Sequence, residues 1–184
     1  MKKLYIYLLF GLMVLAQIVA SAQIVYKYES IISPENAYKF KTAPIDPNDP
    51  FRGKFITLRF EINEFNTNDE NWEYGDKAYA YFSSDENGFA ILETLSKTKL
   101  TNSELAYVEV KTTSHYNGVI HFSLPFNRYY MEETKANDAE TLYRKRNRRG
   151  ERKNAYALVY LKNGTHTLTD VIIDGVSIKD AVEK

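Results

Sequence analysis

Two aspartates followed closely by an arginine and a glycine form the first group whose residue types could do chemistry. They are Asp46, Asp49, Arg52 and Gly53, within PIDPNDPFRG at 44–53. Paired carboxylates can supply oxygen ligands to Ca²⁺, but the further acids of a calcium loop do not follow. Each proline holds the residue before it in extended geometry, which also suits a stiff turn into a strand. A rigid turn and a binding loop both stay open as interpretations.

A second group combines acids with one arginine around the start of a predicted helix. Its members are Arg128, Glu132, Glu133 and Glu140. Two carboxylates can act as general acid and base only where a cleft moves their pKa values apart. Acids near a helix N-terminus are also common because they complement the helix dipole. The group therefore predicts either a dipole-stabilised helix start or a second binding patch in which Arg128 pairs with the acids.

A hydrolase is the competing function from the residues alone. It would use Glu133 and Glu140, or a serine activated by a lysine as in membrane-tethered serine proteases. Ser33 is the nearest serine before the first strong strand, and it precedes Pro34. The residue after it is a proline and not the hydrophobic neighbour expected of such a nucleophile. We favour a non-enzymatic binding module over this alternative.

Metal and cofactor chemistry find little support in the sequence. His115, His121 and His166 are scattered without the spacing of a zinc site, and there is no cysteine. No phosphate loop, dinucleotide fingerprint or G-x-S-x-G motif occurs. We therefore predict no metal and no cofactor.

Charge is balanced overall and concentrated in one place. Lys+Arg and Asp+Glu both total 24, which does not suggest a nucleic-acid-binding protein. The run RKRNRRGERK at 144–153 nevertheless holds seven bases and one acid. It fits a solvated helix end, anionic lipid headgroups or an acidic face of a partner.

The N-terminal segment determines in which compartment the rest of the chain lies. Lys2 and Lys3 precede an apolar stretch at 4–25, whose 22 residues span roughly 33 Å as a helix, enough for a bilayer core of about 30 Å. We predict an uncleaved anchor over 1–26, single-pass in the cytoplasmic (inner) membrane, with the rest in the periplasm or outside. The alternative is a signal peptide cleaved at Ala20–Ala22, which would release the protein to the periplasm.

The remaining residues, 27–184, predict one mainly β domain with an antiparallel, barrel-like sheet. Tyr 15 and Phe 10 are high counts, and apolar residues alternate clearly at Ile56, Leu58, Phe60 and Ile62. Strands are predicted near 38–42, 55–62, 77–83, 89–96 and 107–113, and NGVIHFSLPF at 117–126 predicts another turn and strand. Hairpin or turn signals lie at 85–88, 163–164 and 174–175. A polar loop is predicted over 63–76, and the one convincing helix lies near 131–149.

Four segments along the chain belong together: GKFITLRF at 53–60, its lead-in PIDPNDPFRG, the segment RYYMEE and the terminal VIIDG. In these segments and their layout the chain resembles the GDYXXLXY protein family, whose motif corresponds to 53–60. Lys54 replaces the motif aspartate, while Phe55 and Phe60 replace its two tyrosines, so a role that needs an acid or a phenol there is not expected.

The resemblance implies a membrane-anchored protein with no established activity. It also implies, as partner, a multi-pass membrane protein or an envelope component. Because the family pattern includes acids at positions like Glu133 and Glu140, those two stay with Arg128 in the second candidate patch.

Overall fold

A long apolar helix begins the chain. In a computed structural model, residues 2–43, 55–132, 135, 138–139, 141–143 and 155–182 are described. Helix α1 covers Lys2–Glu29, and none of the side chains from Lys3 to Glu29 is buried. It is long and apolar enough to cross a membrane, and a signal sequence would pass the same test. Its exposed apolar surface therefore needs an environment other than the domain core.

A compact turn joins α1 to the domain. Ile31 is buried, and the side-chain amide of Asn36 donates hydrogen bonds to the Ile31 carbonyl oxygen at 3.0 Å and to Ser33 Oγ at 2.7 Å. A single 3₁₀ turn at Pro34–Asn36 follows. The chain therefore turns at Ser33–Pro34 just before β-structure begins.

Antiparallel strands make up the domain, which confirms the predicted fold class. The strands are β1 Ala37–Ala43, β2 Phe55–Thr57, β3 Arg59–Phe60, β4 Glu64–Asn66, β5 Lys77–Ser84, β6 Ala90–Ser96, β7 Ala106–Tyr116, β8 Val119–Ser123, β9 Arg128–Tyr130, β10 Ala155–Lys162, β11 Thr165–Ile173 and β12 Val176–Ser177. Sheet I has the order β12-β11-β10-β1-β3, sheet II has the order β4-β8-β7-β5-β6, and β2 pairs with β9.

The two large sheets meet along β1, which gives the domain its nearly closed, barrel-like form. The Lys39 amide donates to the Gly88 carbonyl oxygen at 2.9 Å, and Lys39 forms a parallel bridge with Phe89, the residue before β6. Phe40 lies between the sheets, fully buried, with its ring centroid 5.2 Å from that of Phe82 and 4.9 Å from that of Phe126. One shared core therefore supports both sheets.

The alternation predicted around the motif is confirmed, but the strand is interrupted. Ile56, Leu58 and Phe60 are buried, while Arg59 and Glu61 are exposed. At Leu58 the chain changes partner: β2 pairs with β9, whereas β3 pairs with β1. A periodic pattern cannot show this change, because both halves keep the same period.

Two further helices and the short strand β4 complete the described part of the fold. Described residues 135, 138–139 and 141–143 are helical, which agrees with the predicted helix near 131–149, and we name this helix α2. Ala139 and Tyr143, one turn apart, are fully buried. The short strand β4 lies within the region predicted as a loop, which makes that prediction wrong there, and helix α3 at Ile178–Ala181 was not predicted.

The domain has two ends, defined by the direction of β1. The proximal end, next to α1, contains Ala37 and the turn between Lys162 and Thr165; α1 also approaches β11. The distal end contains Ala43, Ala155 and Ile173. At about 3.3 Å per residue, β1 separates the two ends by about 20 Å.

Candidate functional site

A cleft of about 550 Å³ opens at the distal end, and we call it the distal cleft. The second half of the family motif, Leu58 to Phe60, forms one wall. The described lining residues are Ala43, Leu58, Arg59, Phe60, Ile62, Asn63, Thr113, Phe122, Ser123, Leu124 and Asn127. They come from β1, β3, β7 and β8, from Leu58 between β2 and β3, and from the segments that follow β3 and β8. The cleft therefore lies where sheet I and sheet II separate.

The wall formed by β3 presents backbone groups as well as side chains. β3 is the last strand of sheet I. The Glu61 amide donates to the Lys41 carbonyl oxygen at 3.0 Å, so the alternation of an antiparallel ladder turns the Phe60 N–H and C=O away from β1. The Leu58 amide points the same way and donates to the Asn127 carbonyl oxygen at 2.8 Å. The outer edge of β3 thus faces the cleft.

The chemistry of the distal cleft is that of amides, hydroxyls and apolar surface. Asn63, Asn127, Thr113 and Ser123 can donate and accept hydrogen bonds, and Arg59 is the charged residue among the described lining residues. Acids and histidines are absent from that described set, so it contains no acid–base pair. The arrangement suits recognition of polar groups rather than proton transfer.

The first half of the motif contributes to a second surface group, in which β2 pairs with β9; we call Phe55, Arg128 and Tyr130 the Arg128 patch. Phe55 pairs with Tyr130 in register, and their ring centroids are 5.5 Å apart. The Arg128 guanidinium lies 5.0 Å from the centre of the Phe55 ring, within cation–π range. Tyr130 is 64 % exposed. Arg128, a residue predicted for the second patch, is therefore held by a motif aromatic residue.

Beneath that patch, a half-buried carboxylate ties three strands together. Asp170 Oδ1 accepts hydrogen bonds from the Tyr129 hydroxyl at 3.2 Å, the Ser177 hydroxyl at 2.9 Å and the Val171 amide at 2.8 Å. Burial, followed by the nearby Asp170 charge, raises the pKa of Tyr129 well above its ordinary value. The phenol therefore stays protonated and keeps donating.

Sequence reasoning missed Asp170. The register between β10 and β11 shifts at Leu158/Val159, which places a β-bulge next to Asp170. The available signal was an acid inside the strand pattern TLTDVII at 167–173, where a charge needs a partner.

Most of the predicted site residues lie outside the described residues. These are Asp46, Asp49, Arg52, Gly53, Glu133 and Glu140, together with the basic run at 144–153. Described residues on both sides of the first group belong to the surfaces defined above. Ala43 lines the distal cleft, and Phe55 belongs to the Arg128 patch.

Two further predictions concern residues that the structure does describe. Ser33 lies in the turn after α1, at the proximal end, where its hydroxyl accepts a hydrogen bond from Asn36. The histidines do not gather: among the described residues there is no group of three or more His, Asp or Glu that could hold a metal ion.

The fold and the cleft define a class of protein: a barrel-like β domain carried behind an apolar N-terminal helix, with a sequence motif at an open cleft. The family model described as GDYXXLXY protein matches residues 17–171. The chain belongs to the GDYXXLXY family. No curated protein and no solved structure matches it.

Proposed function

We propose that the protein is a membrane-tethered binding module. Helix α1 stays uncleaved in the cytoplasmic membrane, and the β domain outside it holds an extended polypeptide segment of an envelope partner in the distal cleft. The observation that carries the proposal is the cleft of about 550 Å³ whose wall is the second half of the family motif. A partner that is itself a membrane protein would reach this cleft through an extramembrane segment, since the cleft lies about 20 Å beyond the proximal end.

The tether is supported by the length of α1 and by its junction with the domain. Its 28 residues span about 42 Å, against about 30 Å for a bilayer core. Lysines at its start favour a cytoplasmic N-terminus. Ile31, two residues beyond the helix, is buried in the domain.

The choice of an extended polypeptide follows from the edge of β3. A strand added there would find the Phe60 N–H and C=O directed toward it, as in β-strand addition. Amide side chains from Asn63 and Asn127 flank that edge, and the partly exposed side chains of Ala43 and Ile62 offer apolar contact to the bound segment. Sugars and nucleotides would gain little from such a backbone edge.

The Arg128 patch extends the same surface. Tyrosine and arginine are the residue types that most often dominate binding energy at protein interfaces. Tyr130 presents its ring to solvent, and Arg128 is pre-organised over Phe55. Both lie on the exposed face of β9, beside Asn127 of the cleft.

Site-specific photo-cross-linking in intact membranes tests the binding surface. A photoreactive phenylalanine at Asn63, in the cleft, is compared with one at Ile91, an exposed residue on β6. We expect one discrete adduct from position 63 and none of that size from position 91. The charge reversal Arg59→Glu should remove the adduct, whereas Lys99→Glu, the same reversal away from this cleft, should keep it. Equal adducts from both positions would refute the proposed surface.

A separate measurement tests the tether. Alkaline extraction of membranes followed by N-terminal sequencing should recover the full-length chain in the membrane pellet. A mature N-terminus at Gln23 in the soluble periplasmic fraction would contradict the tether and leave the cross-linking result standing.

A further inference from the structure

A second cleft, of about 480 Å³, lies on the outer face of sheet II at the proximal end. We call it the proximal cleft. The residues that matter for its chemistry are Tyr81, Lys99, Asn102, Ser103, Tyr107 and Asn163. Neither the family motif nor any predicted site residue contributes to its described lining.

The cleft is formed where the chain from β6 to β7 crosses over β5. The Leu100 amide donates to the Tyr81 hydroxyl at 2.7 Å, which fastens the crossing segment to the sheet. Ring centroids of Tyr81 and Tyr107 are 5.5 Å apart, and those of Tyr79 and Tyr107 are 6.0 Å apart. These contacts fix the wall of the cleft without help from a ligand.

The turn between β10 and β11 closes one side. Gly164 has φ +81°, and a Cβ there would lie 2.9 Å from the Tyr107 ring. Only glycine allows both this backbone conformation and this approach. The turn therefore presses against Tyr107 and brings Asn163 to the rim of the cleft.

One cation is held over this aromatic wall. Lys99 Nζ lies 4.9 Å from the centre of the Tyr107 ring. A hydrogen bond with Tyr107 raises the pKa of Lys99, so the amine stays charged. Asn102, Ser103 and Asn163, which carry amide and hydroxyl groups, line the same cleft as Lys99. Glu104 is exposed in the same segment and is not among the described lining residues.

A cleft that combines one ammonium group with neutral hydrogen-bond donors suits an anion rich in acceptor oxygens. Phosphate has that chemistry. A sugar would need an open aromatic face for stacking, but Lys99 lies over the Tyr107 ring.

The position of the cleft, near the end of α1, favours a membrane lipid as the source of the phosphate. Tyr160 pairs with Ala37, the first residue of β1, and Asn163 lies three residues further toward α1, a step of about 10 Å. The turn at 30–36 is compact, and α1 approaches β11. Tyrosine and lysine are also the side chains that favour the headgroup region of a bilayer.

We propose that the proximal cleft binds the phosphate of an anionic phospholipid headgroup, in the leaflet from which α1 emerges. This inference rests on the proposed tether and is independent of the partner proposed for the distal cleft. Its consequence is a domain attached to the membrane at two points, by α1 and by Lys99.

Lipid retention by the purified full-length protein in detergent tests the proposal. Native mass spectrometry would count bound phosphatidylglycerol and phosphatidylcholine added at equal concentration. We expect one retained phosphatidylglycerol and much less phosphatidylcholine. Lys99→Glu should weaken retention by about tenfold or more, the value of a charge-assisted hydrogen bond, while Arg59→Glu should leave it unchanged. Tyr107→Phe keeps the ring and removes the hydroxyl, so retention should fall only partly.

Three results would overturn the inference. One is equal retention of phosphatidylglycerol by Lys99→Glu and wild type, with unfolding curves showing that both are folded. Another is equal retention of the two lipids. The third is displacement of the lipid by inorganic phosphate at the same concentration, which would assign the cleft to a free anion. Absence of the position-63 cross-link in the chain that keeps Arg59, with lipid retention intact, would instead refute only the proposed function.

Discussion

The two clefts differ in what forms their walls. In the distal cleft the wall is a strand edge with its backbone groups, and the neighbouring side chains belong to the core. In the proximal cleft the wall is a set of tyrosines on an outer face, covered by a crossing segment. Leu58 and Phe60 are buried, whereas Lys99 and Asn102 are exposed.

This contrast separates substitutions that destabilise the fold from those that change recognition. A change in the distal wall disturbs the seam between the sheets, so stability and binding fall together. A change at Lys99 leaves every core contact in place, so binding alone should respond. The predictions below test that separation, starting with the core that both ends share.

Phe40→Ala should give the largest effect. The fully buried ring contacts Phe60, Phe82 and Phe126, and its removal leaves a cavity that neighbours fill only in part. We expect the free energy of unfolding to fall by about 3–5 kcal/mol, measured by denaturant unfolding in detergent. Tyr116→Ala, at a 73 % exposed side chain, should change it by less than about 0.5 kcal/mol. Comparable losses from the two variants would contradict the shared core.

Asp170→Ala should destabilise the distal end. Three donors lose their acceptor, and we expect a loss of about 2–3 kcal/mol. Hydrogen exchange should accelerate in β9 and β12 more than in β5. Tyr129→Phe removes a single donor and should cost about 1 kcal/mol. Uniform acceleration across both sheets would show that Asp170 has no local role.

Gly164→Ala should affect the proximal end. The added methyl group meets the Tyr107 ring and the backbone is left-handed, so we expect a loss of about 1–3 kcal/mol together with weaker lipid retention. Gly175→Ala is the matched control, because its φ is +80° but nothing lies within 4 Å of the added atom. It should be less destabilising and should retain lipid. The same lipid loss in both would argue against a specific contact with Tyr107.

The smallest expected effect is a pH dependence at His166. Burial lowers the pKa of His166, whose ring also packs on Phe126. The unfolded chain then binds more protons than the folded one below about pH 6.5, so stability is full above that pH and declines as pH falls toward the lowered folded pKa. Thermal unfolding at pH 7.5 and 5.5 should show a decline that His166→Gln reduces. An unchanged slope in that variant would assign the decline to other groups.

Local patterns in the sequence predicted the elements well, because their causes are local. Alternation gave the buried face of β2 and β3, and Asn163-Gly164 gave the turn between β10 and β11. The break at Leu58 was not predictable, since it depends on Asn127, which is far away in the sequence. β4 and α3 are too short for a periodic signal.

The clefts were harder to predict than the strands. Each is lined by residues from separate segments, which come together only through the pairing of the sheets. The candidate residues at 44–53 and the glutamates lie outside the described residues, while Arg128 was predicted for a patch and lies over Phe55. A paired charge such as Asp170 gives a weak signal, because one acid in a strand does not reveal its donors.

The compact turn after α1 limits how the domain can search its surroundings. A flexible linker with the length of residues 30–36 would have a root-mean-square reach of about 15 Å and would let the domain tilt in every direction. With Asn36 bonded to Ile31 and Ser33, few backbone torsions stay free. With α1 in a bilayer, the domain would explore by lateral diffusion and by spinning about the helix axis. Its partner would therefore meet the outer edge of β3 at one fixed height.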